Sequence, residues 1–278
     1  VIGIMPLLND VFPPEDSLDL LEGNCRNNNA EINIVVIKLQ SISNFSDLDP
    51  LRAEESVKLK WVEPGQEIGN PDALIIPGSK QTIDDLNKIV ESGMASRIIE
   101  YSKKGGCIIG ICGGMQILGR SLEDPSGIEQ GQKAQKKLMI SGLDILPLHT
   151  TFMNTKKLER RTVNINWPKN DILNGFELHH GVTRLLENSN NIISLSEDKA
   201  IGWVLRNENT SDHIIGTYLH GIFDNGPWRR SWLNILREKK GLHKLSLDED
   251  HHSIKIDKKL NLLADSFERH VDINPLIR

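Results

Sequence analysis

Three cysteines, Cys25, Cys107 and Cys112, are all that this chain of 278 residues contains. So small and odd a count cannot supply a disulfide framework. It fits a reducing compartment, and the cytoplasm is the expected location. Neither Cys107 nor Cys112 has a Cys or His cluster beside it, so no zinc site is expected and no metal is assigned. A basic excess is lacking too: the net charge of −5 gives no electrostatic footprint for nucleic acid. No run approaches the roughly 18 apolar residues that a membrane-spanning helix needs. The opening Val1-Ile2-Gly3-Ile4-Met5-Pro6 has no charged leader, so no secretory signal is expected. No Gly-x-x-x-x-Gly-Lys-Ser or -Thr run is present to cradle phosphates. Internal repeats and low-complexity tracts are also missing. What remains is an ordinary globular composition, 38% hydrophobic and 26% charged. Its length can bury a real core, as one large domain or two small ones.

The most informative stretch that is present runs from Cys107 to Gly119. It is apolar through Ile111 and stops at Gly110-Ile111-Cys112-Gly113-Gly114. Gly-x-Cys-x-Gly is a nucleophile elbow with cysteine in the serine position. The apolar run reads as a buried parallel strand. Met115, Ile117 and Leu118 then read as a helix packed on the sheet. Cys112 is expected at the start of that helix, where the dipole favours a thiolate. A core cysteine beside a glycine turn is the alternative reading of the same residues.

Around the elbow, strands are expected at Ile32 to Leu39, Val57 to Val62 and Ala73 to Ile76. Helices are expected near Leu51 to Glu55, from about Thr82, and over roughly 93 to 103, with Asp84 and Asp85 in the first turn of the second. This alternation predicts an α/β fold, a doubly wound and mostly parallel sheet. Functional groups should then collect at the carboxyl ends of its strands. The second half reads as strand-rich, with strands at 144–146, 161–166, 192–196, 201–206 and 213–218. An amphipathic helix follows from Pro227 to about Lys239. A final helix covers roughly 256 to 270, with Leu260, Leu263, Phe267 and Val271 on one face. Asp248-Glu249-Asp250 beside His251 and His252 reads as a solvated loop rather than a metal site. Residues 1 to about 30 read as a connector, with a short helix at 18–22. The opening Val1 to Met5 looks like a buried strand whose partners are missing, so the chain is expected to continue a longer polypeptide. The expected division is 1–30, 31–240 and 241–278.

A cysteine nucleophile needs a base within hydrogen-bond reach. Nine histidines are available. His220 ends a β-rich run before Gly221, and His179 lies in Gly175-Phe176-Glu177-Leu178-His179-His180-Gly181. Spacing alone does not choose between them.

Here the residues carry a resemblance. Gly110-Ile111-Cys112-Gly113-Gly114-Met115-Gln116 resembles the elbow of class I glutamine amidotransferases, and Pro77-Gly78-Ser79 resembles their oxyanion-strand loop. The runs from Ile42 to Leu51, Gly175 to His179 and Gly216 to Asp224 are similar to the cobyric acid synthase family. So is the opening, Met5-Pro6 through Pro14-Glu15-Asp16-Ser17, which resembles that family's junction between its ATP-binding and glutaminase domains. These motifs occur in the right order and cover nearly the whole chain.

The resemblance implies a flavodoxin-like class I glutamine amidotransferase fold, with Cys112 as nucleophile and His220 as general base and acid. Backbone N–H groups of Gly78, Ser79 and Gly113 would hold the oxyanion, and Gln116 would line the glutamine pocket. A polar helix residue facing solvent is the other reading of Gln116. Many class I enzymes have Glu two residues after the histidine. Here that residue is Ile222, so the site is expected to be a Cys–His dyad or to borrow Glu177 as orienter. Val182 stands where the family usually has arginine, so no arginine contact is carried over. The implied substrates are glutamine and a corrinoid, adenosylcobyrinic acid a,c-diamide, whose peripheral carboxylates are amidated. No cofactor is expected in this chain. ATP and Mg²⁺ are expected in an N-terminal domain, residues 1–30 being that domain's end and the connector. The rival readings are an amidotransferase acting on cobyrinic acid, a stand-alone glutaminase serving a cell-wall ligase, and a cysteine hydrolase of similar fold that does not use glutamine.

Overall fold

A computed structural model describes residues 2–6, 30–129, 138–187, 190–206 and 213–276. The apolar runs of the first half form the expected strands. They are β1 (Ile32–Ile37), β3 (Val57–Val62), β4 (Ala73–Ile76) and β6 (Cys107–Ile111). Every residue of β4 and β6 is buried, because both faces of the sheet are covered. β3 alternates buried and exposed residues instead, as a strand at the sheet edge does. With β13 (His213–Thr217) these strands run parallel, and β12 (Gly202–Arg206) and β11 (Ile192–Ser194) extend the sheet antiparallel. The order is β11-β12-β13-β6-β4-β1-β3. Taken in chain order, the parallel strands lie 2-1-3-4-5, which is the flavodoxin-like doubly wound arrangement. Its core of Ile34, Val36, Leu74, Ile75, Ile108, Ile109 and Ile215 is fully buried. Each such side chain contributes about 1.5–3 kcal/mol of burial energy.

The connections bring the loops to one edge. After β1 come β2 (Ile42–Ser43), a 3₁₀ turn (Phe45–Leu48) and α1 (Asp49–Arg52). After β4 comes β5 (Gly78–Ser79), which pairs antiparallel with β2. Helices α2 (Thr82–Glu91) and α3 (Met94–Lys103) follow. α4 (Gly113–Leu118) follows β6 directly, and α5 (Gly226–Lys239) follows β13 after a second 3₁₀ turn, Ile222–Asp224.

The second half departs from the sequence reading. A second sheet, β10-β9-β7-β8, is built from β7 (Ser121–Asp124), β8 (Leu138–Ser141), β9 (Leu148–Ile165) and β10 (Asp171–Leu185). The expected strand at 161–166 is only the end of the 18-residue β9, and β10 was not foreseen. The middle of β9, Lys156 to Arg161, is largely exposed and charged. It has no apolar period, and cross-strand pairing with β10 holds it instead. The segment 144–146 is not a strand. The Ile145 and Leu146 N–H groups both bond the Leu118 carbonyl, satisfying the end of α4. The first 3₁₀ turn and α1 begin earlier than the expected 51–55 helix. The final helix, α6 (His252–His270), starts four residues before the expected 256. Residues 2–6 of the opening lie at the surface of this chain. Ile4 is 79% exposed, and Gly3 makes a single bridge to Val271. The 18–22 helix and Cys25 lie outside the described residues.

Candidate active site

The carboxyl ends of β1, β4, β6 and β13 bring four loops together. Cys112 follows β6 with φ 51° and ψ −108°, a left-handed backbone that a cysteine does not adopt without strain. The turn that imposes it leaves no room beyond the backbone: a Cβ at Gly114 would stand 1.9 Å from the Ile76 carbonyl oxygen. The thiol donates to the Leu178 carbonyl of β10 at 3.4 Å and lies within hydrogen-bonding reach of the His220 ring.

His220 follows β13 and is fully buried. Its ring stacks on Phe176, with centroids 5.0 Å apart. Backbone bonds in both directions between Phe176 and His220 fix the segment. Nδ1 lies 2.7 Å from Asp47 Oδ2, while Asp47 Oδ1 accepts the Gly221 N–H at 2.8 Å. Asn44, whose own backbone is left-handed, places its amide 3.3 Å from His220 Nε2. Burial works against a charged imidazole, but the Asp47 carboxylate and then the Cys112 sulfur outweigh it. The ring is pushed up from its ordinary 6.5 to about 10. The fold therefore favours the imidazolium. Its contribution to stability is complete below pH 6.5 and is lost as the pH rises through about 10. Urea midpoints of wild-type and His220→Gln protein should accordingly converge between pH 6.5 and pH 10. A gap that stays constant over this interval would show that the pairing does not stabilise the fold.

The third group of this cluster is Asp47, and it corrects the expectation for Glu177. Glu177 is buried on β10, but its carboxylate takes Lys157 at 2.7 Å, His179 Nε2 at 3.1 Å and Arg161 at 3.2 Å. Burial opposes its ionised form. His179, Lys157 and Arg161 together overcome this and hold its carboxyl below the usual range. It is spent on His179, while Asp47 occupies the place beside His220. His179 is itself fixed by Gly181 and stacks on Tyr218 with centroids 3.7 Å apart.

Gly78, Ser79 and Gly113 come together with Cys112. A Cβ on Gly113 would lie 2.8 Å from the Ser79 amide nitrogen, so the β5 backbone abuts the first residue of α4. Gly78 faces the His220 ring, whose Cε1 a Cβ there would approach to 3.3 Å. Asp85, in the first turn of α2 as expected, also holds this loop. It accepts the Ser79 hydroxyl at 2.6 Å and the Gln40 and Ser41 N–H groups. Gln116 does not face solvent. It is buried, donates to Tyr218 at 3.0 Å and accepts from Thr82 at 3.2 Å. Burial pushes the Tyr218 phenol well above its ordinary range. Glu129 is also pushed up, by burial, to about 7, despite accepting the Thr82 N–H.

Sequence reasoning missed Asp47, Asn44, Phe176 and Tyr218 as members of this cluster. The available signal was the Ile42 to Leu51 run, which contains two of them. Among the described residues no three His, Cys, Asp or Glu side chains converge as a metal site. No described helix is long and apolar enough to cross a membrane. The arrangement can deprotonate a thiol, attack a carbonyl carbon, and present two adjacent amides to an oxyanion.

Known proteins resemble this chain. The family described as a CobB/CobQ-like glutamine amidotransferase domain matches residues 33–228. A protein named cobyric acid synthase from Prochlorococcus marinus (strain MIT 9313) is 51% identical over 278 residues, 100% of this chain and 55% of that protein. A second of that name, from Synechococcus sp. (strain WH7803), is 50% identical over 280 residues, covering 100% of this chain and 56% of its own. The chain thus spans about half the length of the curated relatives it matches. Among solved structures, a glutamine amidotransferase from Thermotoga maritima gives a TM-score of 0.47 at 16% identity, over 86% of this chain and 97% of its own.

Proposed function

Because the chain belongs to the CobB/CobQ-like glutamine amidotransferase domain family, we propose that Cys112, His220 and Asp47 hydrolyse glutamine and release ammonia. One observation carries this reading: the elbow cysteine faces a buried histidine whose far nitrogen is 2.7 Å from a carboxylate. His220, an imidazolium in this fold, holds the proton of the Cys112 thiol, and Sγ attacks the side-chain carbonyl carbon of glutamine. The N–H groups of Ser79 and Gly113, with the Gly78 turn, donate to the developing oxyanion, at about 3 kcal/mol per donor. His220 then passes the proton to the departing nitrogen, and ammonia leaves. Water attacks the thioester with the same imidazole as base, and glutamate is released. Asp47 keeps Nδ1 protonated and Nε2 turned to the sulfur throughout. Gln116 stands beside this cleft in the Thr82–Gln116–Tyr218 wall and is assigned to the glutamine pocket.

The wider proposal is that the chain is the ammonia-supplying part of a cobyric acid synthase. The ammonia would amidate peripheral carboxylates of adenosylcobyrinic acid a,c-diamide. Activation of those carboxylates by ATP and Mg²⁺ is assigned to a part of the protein outside these residues. The relatives' names and full coverage of this chain support it.

The test has two stages. Glutamate release is measured for residues 1–278, and then for the complete protein with ATP, Mg²⁺ and corrinoid. Amide-¹⁵N glutamine should label the corrinoid amide in the second stage. Faster turnover of esters or peptides than of glutamine would favour the cysteine-hydrolase reading. Glutaminase without corrinoid labelling would leave the domain reading and remove the corrinoid.

A further inference from the structure

Asp47 and His220 are 173 residues apart in the chain. Asp47 stands on the first 3₁₀ turn, while His220, bridged to Phe176, lies just before the second. The bridge fixes His220 to β10, but the 2.7 Å contact also needs the Asp47 turn to be held against the segment after His220. Asp47 lies in the first 3₁₀ turn, which runs without interruption into α1, and Glu54 follows two residues past the end of that helix. His220 leads into the second 3₁₀ turn, which runs into α5. The ends of these two units meet in a buried ion pair. Arg229, 1% exposed on α5, donates from Nε to Glu54 Oε1 at 2.8 Å, and Glu54 is 5% exposed. The same guanidinium donates through Nη1 to the carbonyls of Phe223 at 2.6 Å and Asp224 at 3.4 Å. One side chain therefore holds the turn after His220 through its carbonyls and the unit that carries Asp47 through its carboxylate.

The surroundings reinforce that pair. Arg230 reaches Glu54 Oε2 at 3.2 Å and Glu249 at 2.7 Å. Glu249, from the acidic run read as a solvated loop, also pairs with Lys255 and approaches Arg229 to 3.7 Å. Buried charges are costly to desolvate and are weak devices for stability alone. They are strong devices for geometry, because a guanidinium fork accepts few arrangements of its acceptors.

We infer that Glu54 and Arg229 are positioning residues that set the Asp47 turn against the His220 turn and thereby aim the imidazole at Cys112. Neither touches the reacting atoms. The inference rests on the glutaminase reading only for its kinetic arm. Reactive groups displaced by about 1 Å lose on the order of 10²-fold in rate. Changing Glu54 to glutamine, which keeps its shape, should therefore act on turnover rather than on substrate binding.

The experiment is a cycle of Glu54→Gln, Asp47→Asn and the double variant in the full chain, with kcat and KM for glutamine and a melting curve for each. Glu54→Gln is expected to lower kcat by roughly 10- to 100-fold with KM nearly unchanged. In the Asp47→Asn background the same change should lower kcat by less than about twofold, because the contact it positions is already lost. Equal losses in both backgrounds, or none in either, would overturn the inference. Arg229→Lys serves as the second variant should Glu54→Gln fail to fold. It keeps the charge, loses the fork, and is expected to show the same background dependence. The NMR signal of the His220 Nδ1 proton gives a reading independent of turnover. It should shift or broaden in Glu54→Gln, and an unchanged signal would also overturn the inference. Should wild-type protein release no glutamate, the glutaminase reading fails, and this resonance still decides the positioning role.

Discussion

Cys112→Ser is expected to abolish glutamine hydrolysis, with turnover falling on the order of 10⁴-fold or more. The change removes one atom's identity and little volume, so the elbow and its neighbours should persist. What goes is the intrinsic nucleophilicity of sulfur, in a site whose proton acceptor and oxyanion amides are arranged around that atom. Cys107→Ser is the control. Cys107 begins β6 and is buried, five residues upstream of the elbow, so its replacement should cost packing while leaving turnover nearly intact. A glutamine-analogue electrophile followed by peptide mapping gives the independent reading. The adduct belongs on Cys112, and an adduct on Cys25 or Cys107 would displace it from the mechanism.

The second large effect separates Asp47 from Glu177, the orienter expected from the sequence. Asp47→Asn is expected to lower kcat by roughly 10²- to 10⁴-fold, as loss of the orienting carboxylate does in triad hydrolases. The amide carries no charge to balance an imidazolium, and its nitrogen competes for Nδ1 as a donor. Glu177→Gln should leave kcat within about threefold, because its carboxylate is engaged by Lys157, Arg161 and His179 rather than His220. Any loss there should fall on KM, through His179 and the Tyr218 ring it stacks on. Steady-state kinetics of the two variants decide the matter. A large kcat loss in Glu177→Gln with a mild one in Asp47→Asn would exchange their roles.

Much of the sheet was legible because its signals are local. Ala73 to Ile76 and Cys107 to Ile111 are continuous apolar runs. A strand buried on both faces needs no partner to announce itself. The elbow was legible for the same reason, since strand, strained turn and helix are consecutive in the chain. The β9–β10 hairpin was not. Its central residues, Lys156 to Arg161, are polar on both sides, and only pairing with a strand some twenty residues later makes them extended. The α4 end shows the converse error: Asp144 to Leu146 looks strand-like, yet its N–H groups serve a helix that lies far upstream in sequence.

The sequence by itself determined the α/β class, the position of the elbow cysteine, and the histidines that could stand beside it. Each of these depends on residue types at short spacing, where covalent geometry leaves few choices. Only the tertiary structure decided which carboxylate faces His220. Two residues past the histidine stands Ile222, so local spacing offers only a Cys–His dyad or Glu177. Asp47 lies 173 residues away, within the crossover from β1 to β3. β6 and β4 stand between β1 and β13 in the sheet, so it is the path of the chain after β1, not strand adjacency, that brings Asp47 to His220. A hydrogen bond of 2.7 Å across that interval is a property of packed elements, and no spacing in the chain encodes it.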